Sequence, residues 1–252
     1  MKERGSKMNR KKKFLVVDVE TANDTLYPLV YDIGYAVVDK EGNVYEQNSL
    51  IIRDVFCFEK ELMKTAYYAK KIPKYLEKIS THQSQVVDLL LAKWIIRDVM
   101  EKYNIKVVCA YNASFDIRAL NTTLRYVTKS KYRWFFPYGT EVHCIWHMAC
   151  QLLYTQKRFA DFALQYDYFS PSGNLQTSAE IGFRYLTNET QFTEEHQGLQ
   201  DVLIECQIMA KCYAQHKKFE KTINRKCWQI PTAHHKEYLD RRLAELQESL
   251  KF

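Results

Sequence analysis

Residues 14–20, FLVVDVE, form a continuous apolar run rich in β-branched side chains. That is the pattern of a strand buried on both faces. The run nevertheless carries Asp18 and Glu20. Ionised carboxylates in an apolar strand are costly unless paired or bound to a cation. Residues i and i+2 point to one face, about 6–7 Å apart along the strand. Two carboxylates so placed can hold two divalent ions about 3.5–4 Å apart. A solvated face of an edge strand explains the same pair, and taken alone DxE does not go beyond that.

The rest of the chain extends this strand into a sheet. Strands are predicted over 30–39 (VYDIGYAVVD) and 44–53 (VYEQNSLIIR), with Glu41-Gly42-Asn43 as the turn, giving an antiparallel meander. Residues 56–79 are aromatic and Lys-rich, and Pro73 breaks any long helix there. Ser84 is placed to cap a helix over 85–103, whose apolar residues recur at helical spacing. KVVCAYN (106–112) reads as a second buried strand, after which Asn112 or Ser114 could cap a helix placing Asp116, Leu120, Leu124 and Val127 near one face. A loop follows over 129–141, then a helix around 143–154, a turn at 171–174 (PSGN), and helices over 177–186 and 197–214. The order β-β-β-α-β-α-loop-α predicts an α/β fold with a mixed sheet flanked by helices. Residues 1–12 read as a flexible basic tail, 13–215 as one domain, and 216–252 as a basic extension ending in an amphipathic helix. Leu239, Leu243, Leu246 and Leu250 form a stripe on that helix, expected to dock on its own domain, since two heptads are too few for a coiled coil.

Charge locates the ends. The net charge is +7, but residues 1–13 hold seven basic side chains and one acid, and 211–252 hold ten basic and five acidic. The body between them carries 20 basic and 24 acidic residues, a net −4. Only seven glycines occur, with no GxGxxG and no GxxxxGK[ST], so neither a dinucleotide fingerprint nor a phosphate-binding P-loop is present. Seven cysteines without a CxxC, and no signal-peptide pattern, lead us to expect a reducing cytoplasm. No stretch of about 18 apolar residues exists, so no membrane partner is expected.

Two further features carry chemistry. Asp116 in AYNASFDIRAL follows a buried strand and stands in the first turn of a helix, where an acid is also favoured simply by the helix dipole. His196 and Asp201 in HQGLQD are five residues apart, about 140° around a helix, so they share a site only if His196 precedes the helix and Asp201 lies inside it. His196 could then be a neutral base at working pH, although a lone His at a helix start is also ordinary polar surface. His143, Cys144, His147 and Cys150 are close in sequence, with 143, 147 and 150 on one helical face, but their spacing is not that of a zinc finger and core packing is the default for them.

The ordered set DxE in the first strand, NxxFD at a strand-to-helix junction and HxxxxD opening a late helix resembles the DEDDh (DnaQ-like) 3′→5′ exonuclease family. The resemblance covers about residues 13–214. TSAEIGFRYLT, before HQGLQD, is similar to phage-encoded members. The resemblance implies a ribonuclease H-like fold and two Mg²⁺ or Mn²⁺ ions on Asp18, Glu20, Asp116 and Asp201, whose +4 would offset the body's −4. It implies His196 as acceptor of the attacking water's proton and nucleoside 5′-monophosphates as products released from a 3′ end. It also implies contacts to the terminal nucleotide from the backbone of Thr21 and Ala22, from Asn112 and from the ring of Phe115. The Tyr variant of the family is excluded, because Gln197 stands where that Tyr would be. Two departures touch the nucleotide pocket: Tyr111 where many members have His, and Thr21-Ala22-Asn23 where Thr-Thr-Gly is common. DNA, in single-stranded form, is the favoured substrate, with RNA as the alternative within the enzyme class and a non-catalytic nucleic-acid-binding adaptor as the alternative outside it. Proofreading would require a separate polymerase or replication partner. Basic–aromatic clusters at 63–75 and 129–139 could guide a strand, or could be lysine faces over buried rings.

Overall fold

The computed structural model describes residues 11–66, 69–131 and 133–249. Residues 1–10 of the basic tail, Tyr67, Tyr68 and Tyr132 of the two basic–aromatic clusters, and Leu250 lie outside the described residues. The elements are β1 (Phe14–Ala22), β2 (Leu29–Val38), β3 (Val44–Ile52), α1 (Arg53–Phe56), α2 (Lys60–Met63), α3 (Ile72–Ser80), β4 (Gln85–Val87), α4 (Leu89–Lys102), β5 (Val107–Ala110), α5 (Ala113–Thr128), β6 (Glu141–Cys144), α6 (Ile145–Leu152), α7 (Lys157–Tyr166), α8 (Ala179–Thr187), α9 (Gly198–Tyr213) and α10 (Gln229–Ser249). Among the described residues they build a six-stranded sheet in the order β4-β3-β2-β1-β5-β6. β1, β2 and β3 pair antiparallel, while β4, β5 and β6 join in parallel. This is an α/β fold with a mixed sheet flanked by helices, as the order of elements in the sequence predicts.

Alternation along β1 divides the core. Phe14 and Val16 pack with residues of α6, α7, α8 and α9 on one face, whereas Leu15, Val17 and Val19 pack with α4 and α5 on the other. By the period of two, Asp18 and Glu20 continue the first face, toward α9. A third cluster of Ala22, Leu29, Tyr31, Ile51, Val55 and Tyr75 closes the sheet's end beneath α1–α3. The β2–β3 turn falls where Gly42 supplies φ +86°, a conformation a side chain disfavours.

Several elements differ from their sequence-based expectation. The helix expected over 85–103 begins only at Leu89. Residues 85–87 instead pair with β3, and Ser84 is buried, donating to Ser49 Oγ at 2.9 Å and not capping a helix. Pro73 occupies the first turn of α3, where its missing N–H costs nothing, so it starts a helix there. His143 and Cys144 lie on β6, not on the helix with His147 and Cys150. His147 Nδ1 is within 2.8 Å of Thr222 O, and this quartet is part of the buried core. The helix α7 has no counterpart in the sequence reading, although Phe159, Phe162 and Ala163 mark its buried face. On α10, Leu239 is buried and Leu243 exposed.

One close approach fixes the sheet to α9. A Cβ on Gly34 of β2 would lie 2.0 Å from the backbone carbon of Gly198, and one on Gly198 would lie 2.5 Å from Gly34 N. The backbones therefore touch where α9 begins. Gly34→Ala is expected to cost about 3 kcal/mol or more, because backbone and not a side-chain tip must yield. A melting temperature within experimental error of wild type would refute this.

Candidate metal and active site

Gly34 pairs with Asp18 across β1–β2, and Asp32 pairs with Glu20. The missing side chain at 34 lets the start of α9 settle beside the two acids of β1. Asp32 holds it there: its Oδ2 accepts the Gly198 N–H at 3.0 Å and its Oδ1 the Ser49 hydroxyl at 3.3 Å. Burial pushes this carboxyl up to about 6, against these two hydrogen bonds. His196 precedes the helix in the left-handed region, at φ +51°, which turns its ring back toward the strand. Asp201 lies in the first turn of α9. The requirement set by the five-residue spacing is thus met.

Asp116 arrives from the other side. It stands buried in the first turn of α5, immediately after β5, where the N–H groups of Asp116 itself and of Val19 in β1 favour its ionised form. Asn112 occupies the cap position of α5 without a side-chain capping bond, and Ser114 Oγ is bonded to Arg225 Nε at 2.8 Å.

These residues open on one cavity of about 980 Å³. Its walls include Asp18, Glu20, Thr21, Asn112, Phe115, Asp116, His196 and Asp201. Ala22 does not line it; its side chain is buried beneath. Ligand atoms of Glu20, His196 and Asp201 lie within 4.8 Å of one another.

Two acids that the sequence reading passed over join this group. Glu205, one helical turn after Asp201, also lines the cavity, is buried, and accepts the Tyr111 N–H at 3.1 Å. Glu194 lines it too, with Oε2 3.9 Å from His196 Nδ1. The i, i+4 spacing of Asp201 and Glu205 is the signal that could have found the first. Tyr111 is explained by the same geometry: its backbone holds Glu205 and its hydroxyl donates to Thr177 O at 2.6 Å, so a large side chain there supports the cavity wall from the core.

The electrostatics follow from burying so many acids together. Burial raises Asp116 to about 7. Burial, then the neighbouring Glu194, raises Asp201 to about 8, and burial, then Asp201, raises Glu20 to about 9. Asp18 and Glu205 are held well above the carboxylate range, first by burial and then by the surrounding acids, Glu205 foremost for Asp18 and Asp116 foremost for Glu205. Lys71 opposes the trend at Glu20 and Asp201. Asp201 Oδ1 is buried with no hydrogen-bond partner among the described residues. An orphaned carboxylate oxygen within an oxygen-rich donor set suits hard divalent cations such as Mg²⁺ or Mn²⁺. The residues present therefore fit such ions.

No protein-family profile and no curated protein matches the sequence. By structure the chain is similar to E. coli exonuclease I. A zinc-bound complex of that enzyme with single-stranded DNA aligns at TM-score 0.48 and 14% identity, covering 82% of this chain and 41% of the other. A complex with a dA16 oligonucleotide aligns at TM-score 0.48 and 15% identity, covering 92% and 46%. A product-bound form aligns at TM-score 0.45 and 14% identity, covering 87% and 45%. The chain thus spans less than half the length of these structures. Among the described residues no helix is long and apolar enough to cross a membrane.

Proposed function

We propose that this chain is a metal-dependent 3′→5′ exonuclease of the DEDDh type that hydrolyses single-stranded DNA to nucleoside 5′-monophosphates. The observation that carries the reading is the convergence of Asp18, Glu20, Asp116, His196 and Asp201 on one cavity, with Asp201 Oδ1 unpartnered among the described residues. Two Mg²⁺ or Mn²⁺ ions held by Asp18, Glu20, Asp116 and Asp201 would supply Lewis-acid stabilisation of the charge that builds on the scissile phosphodiester.

The chain's own residues do the rest. Burial, then Lys71, lowers the His196 pKa, so the imidazole is neutral at neutral pH and can accept a proton from the attacking water. Glu194 Oε2 lies 3.9 Å from Nδ1 and, with its own carboxyl raised to about 7 by burial, stabilises the imidazolium that results when it is ionised. Asn112 and Phe115 line the cavity beside Asp116, where they can orient a terminal nucleotide. We assign the chain to a reducing cytoplasm, a setting suited to its seven free thiols.

The test is incubation with a 5′-labelled single strand and Mg²⁺ or Mn²⁺, followed by separation of mononucleotides. Ordered shortening from the 3′ end supports the reading, and binding without release overturns it. His196→Ala is expected to slow the chemical step by about 10²–10⁴-fold and to remove the acidic limb of the pH–rate curve. An unchanged profile would remove His196 from the base role. Parallel DNA and RNA strands decide between the two sugar types.

A further inference from the structure

The cavity is larger than the carboxylate cluster needs, and its far wall comes from elsewhere in the chain. That wall is made by the loop 170–178 and by Trp228, which precedes α10. Trp146, on α6, lines the same space with its Nε1 donating to Thr177 Oγ1 at 2.9 Å. Trp228 is held in place by its neighbours: Cys227 is fully buried in the core, and Thr232 Oγ1 accepts the Leu175 N–H at 3.0 Å, tying the segment to the loop. The indole itself is half-buried, and among the described residues it makes no hydrogen bond and no ring contact. An aromatic face fixed by its backbone and left open to a cavity has a surface to offer a flat ligand.

Arg225 supplies the complementary charge. Its Nε donates to Ser114 Oγ, and Ser114 stands between Asn112 and Phe115, both of which line the cavity. The guanidinium therefore sits at the cavity rim, exposed, with N–H groups in excess of that single bond. A ring on one wall and a cation at the rim is the combination that takes an unpaired base and its phosphate. A duplex offers its phosphates but no free base, because its bases are stacked and paired.

We propose that the segment 222–232 builds a nucleobase-binding subsite, with Trp228 as the stacking face and Arg225 as the phosphate contact, for unpaired nucleotides of a single strand whose end lies at the carboxylates. This deepens the exonuclease reading and rests on it for the placement of the strand's end.

The test measures binding and turnover separately. The probe is a fluorescein-labelled dT oligomer, with anisotropy read in excess chelator, where no hydrolysis occurs. Trp228→Ala is expected to raise Kd by about 10-fold or more, and Trp228→Phe to restore most of the affinity. Arg225→Gln should weaken binding and lessen its salt dependence. In Mg²⁺ or Mn²⁺, Trp228→Ala should raise KM far more than it lowers kcat, with its melting temperature reported alongside. A fully base-paired blunt duplex of mixed sequence should show no dependence on Trp228, and an rU oligomer distinguishes RNA from DNA at the subsite. Equal Kd for wild type and Trp228→Ala overturns the subsite even if nucleotides are released. Binding without release overturns the exonuclease reading, and the same Trp228→Ala comparison still decides the subsite.

Discussion

Asp201→Asn is expected to abolish nucleotide release, by about a thousandfold or more, since losing several kcal/mol of transition-state stabilisation has that effect on rate. The substitution preserves shape and removes charge where Asp201 Oδ1 has no partner among the described residues. It also removes one member of a crowded set of buried acids, so the metal-free fold should survive or gain stability. Loss of activity with a retained melting transition is the expected pair of results. Full turnover in Asp201→Asn, or by wild type in excess chelator, would sink the two-cation reading.

The second large effect is on stability. In the unfolded chain these carboxyls titrate near about 4. In the folded chain Asp116 lies at about 7, Asp201 at about 8 and Glu20 at about 9. The metal-free folded state therefore binds more protons than the unfolded state across this window, and its stability falls as pH rises through it. Asp32, at about 6, adds the same sign. Acids held below their usual range, such as Asp161, act oppositely, but their contribution is already complete above their unfolded pKa. In chelator, the melting temperature should drop between pH 5.5 and 8.5, by an amount corresponding to several kcal/mol. Millimolar Mn²⁺ should reverse the drop at pH 8.5 and do little at pH 5.5, because cations bind the ionised form and stabilise by mass action. Asp201→Asn should blunt the response. A melting temperature that rises with pH in chelator, or ignores Mn²⁺ at pH 8.5, would contradict this account.

Much of the sheet was legible because strand signals are local. The apolar runs at 14–20 and 106–112 and the glycine turn at 42 lie where the structure has β1, β5 and the β2–β3 hairpin. Short elements were not legible. β4 is three residues whose strand character comes only from pairing with β3, and β6 takes the end of the expected loop and the first residues of the expected helix, through its pairing with β5. The five candidate site residues were picked out by their order, which resembles that of the DEDDh family; taken one at a time each has an ordinary structural explanation. Glu194 has no signal in its own segment, and Glu205 has only its i, i+4 spacing from Asp201; the fold brings the Tyr111 N–H to Glu205 and His196 to Glu194. Arg225 and Trp228 were invisible for a deeper reason: they belong to an extension that reads as generic basic surface until the chain folds back on itself.

The backbone contact between Gly34 and Gly198 also separates the molecule into parts that can and cannot be re-engineered. Asp18 and Glu20 are on one side of that contact, and Asp201 and Glu205 on the other, so these acids belong to one rigid unit. The facing wall, residues 170–178 and 222–232, meets that unit through the buried Leu175 and Cys227 and through Tyr111 and Trp146, both of which bond Thr177. On the function and subsite proposed above, chemistry falls to the acids and recognition to the facing wall: a graft at 170–178 that keeps Leu175 and Thr177 should redirect preference among ligands without retuning the acids, whereas no exchange within β2 or the first turn of α9 has that freedom.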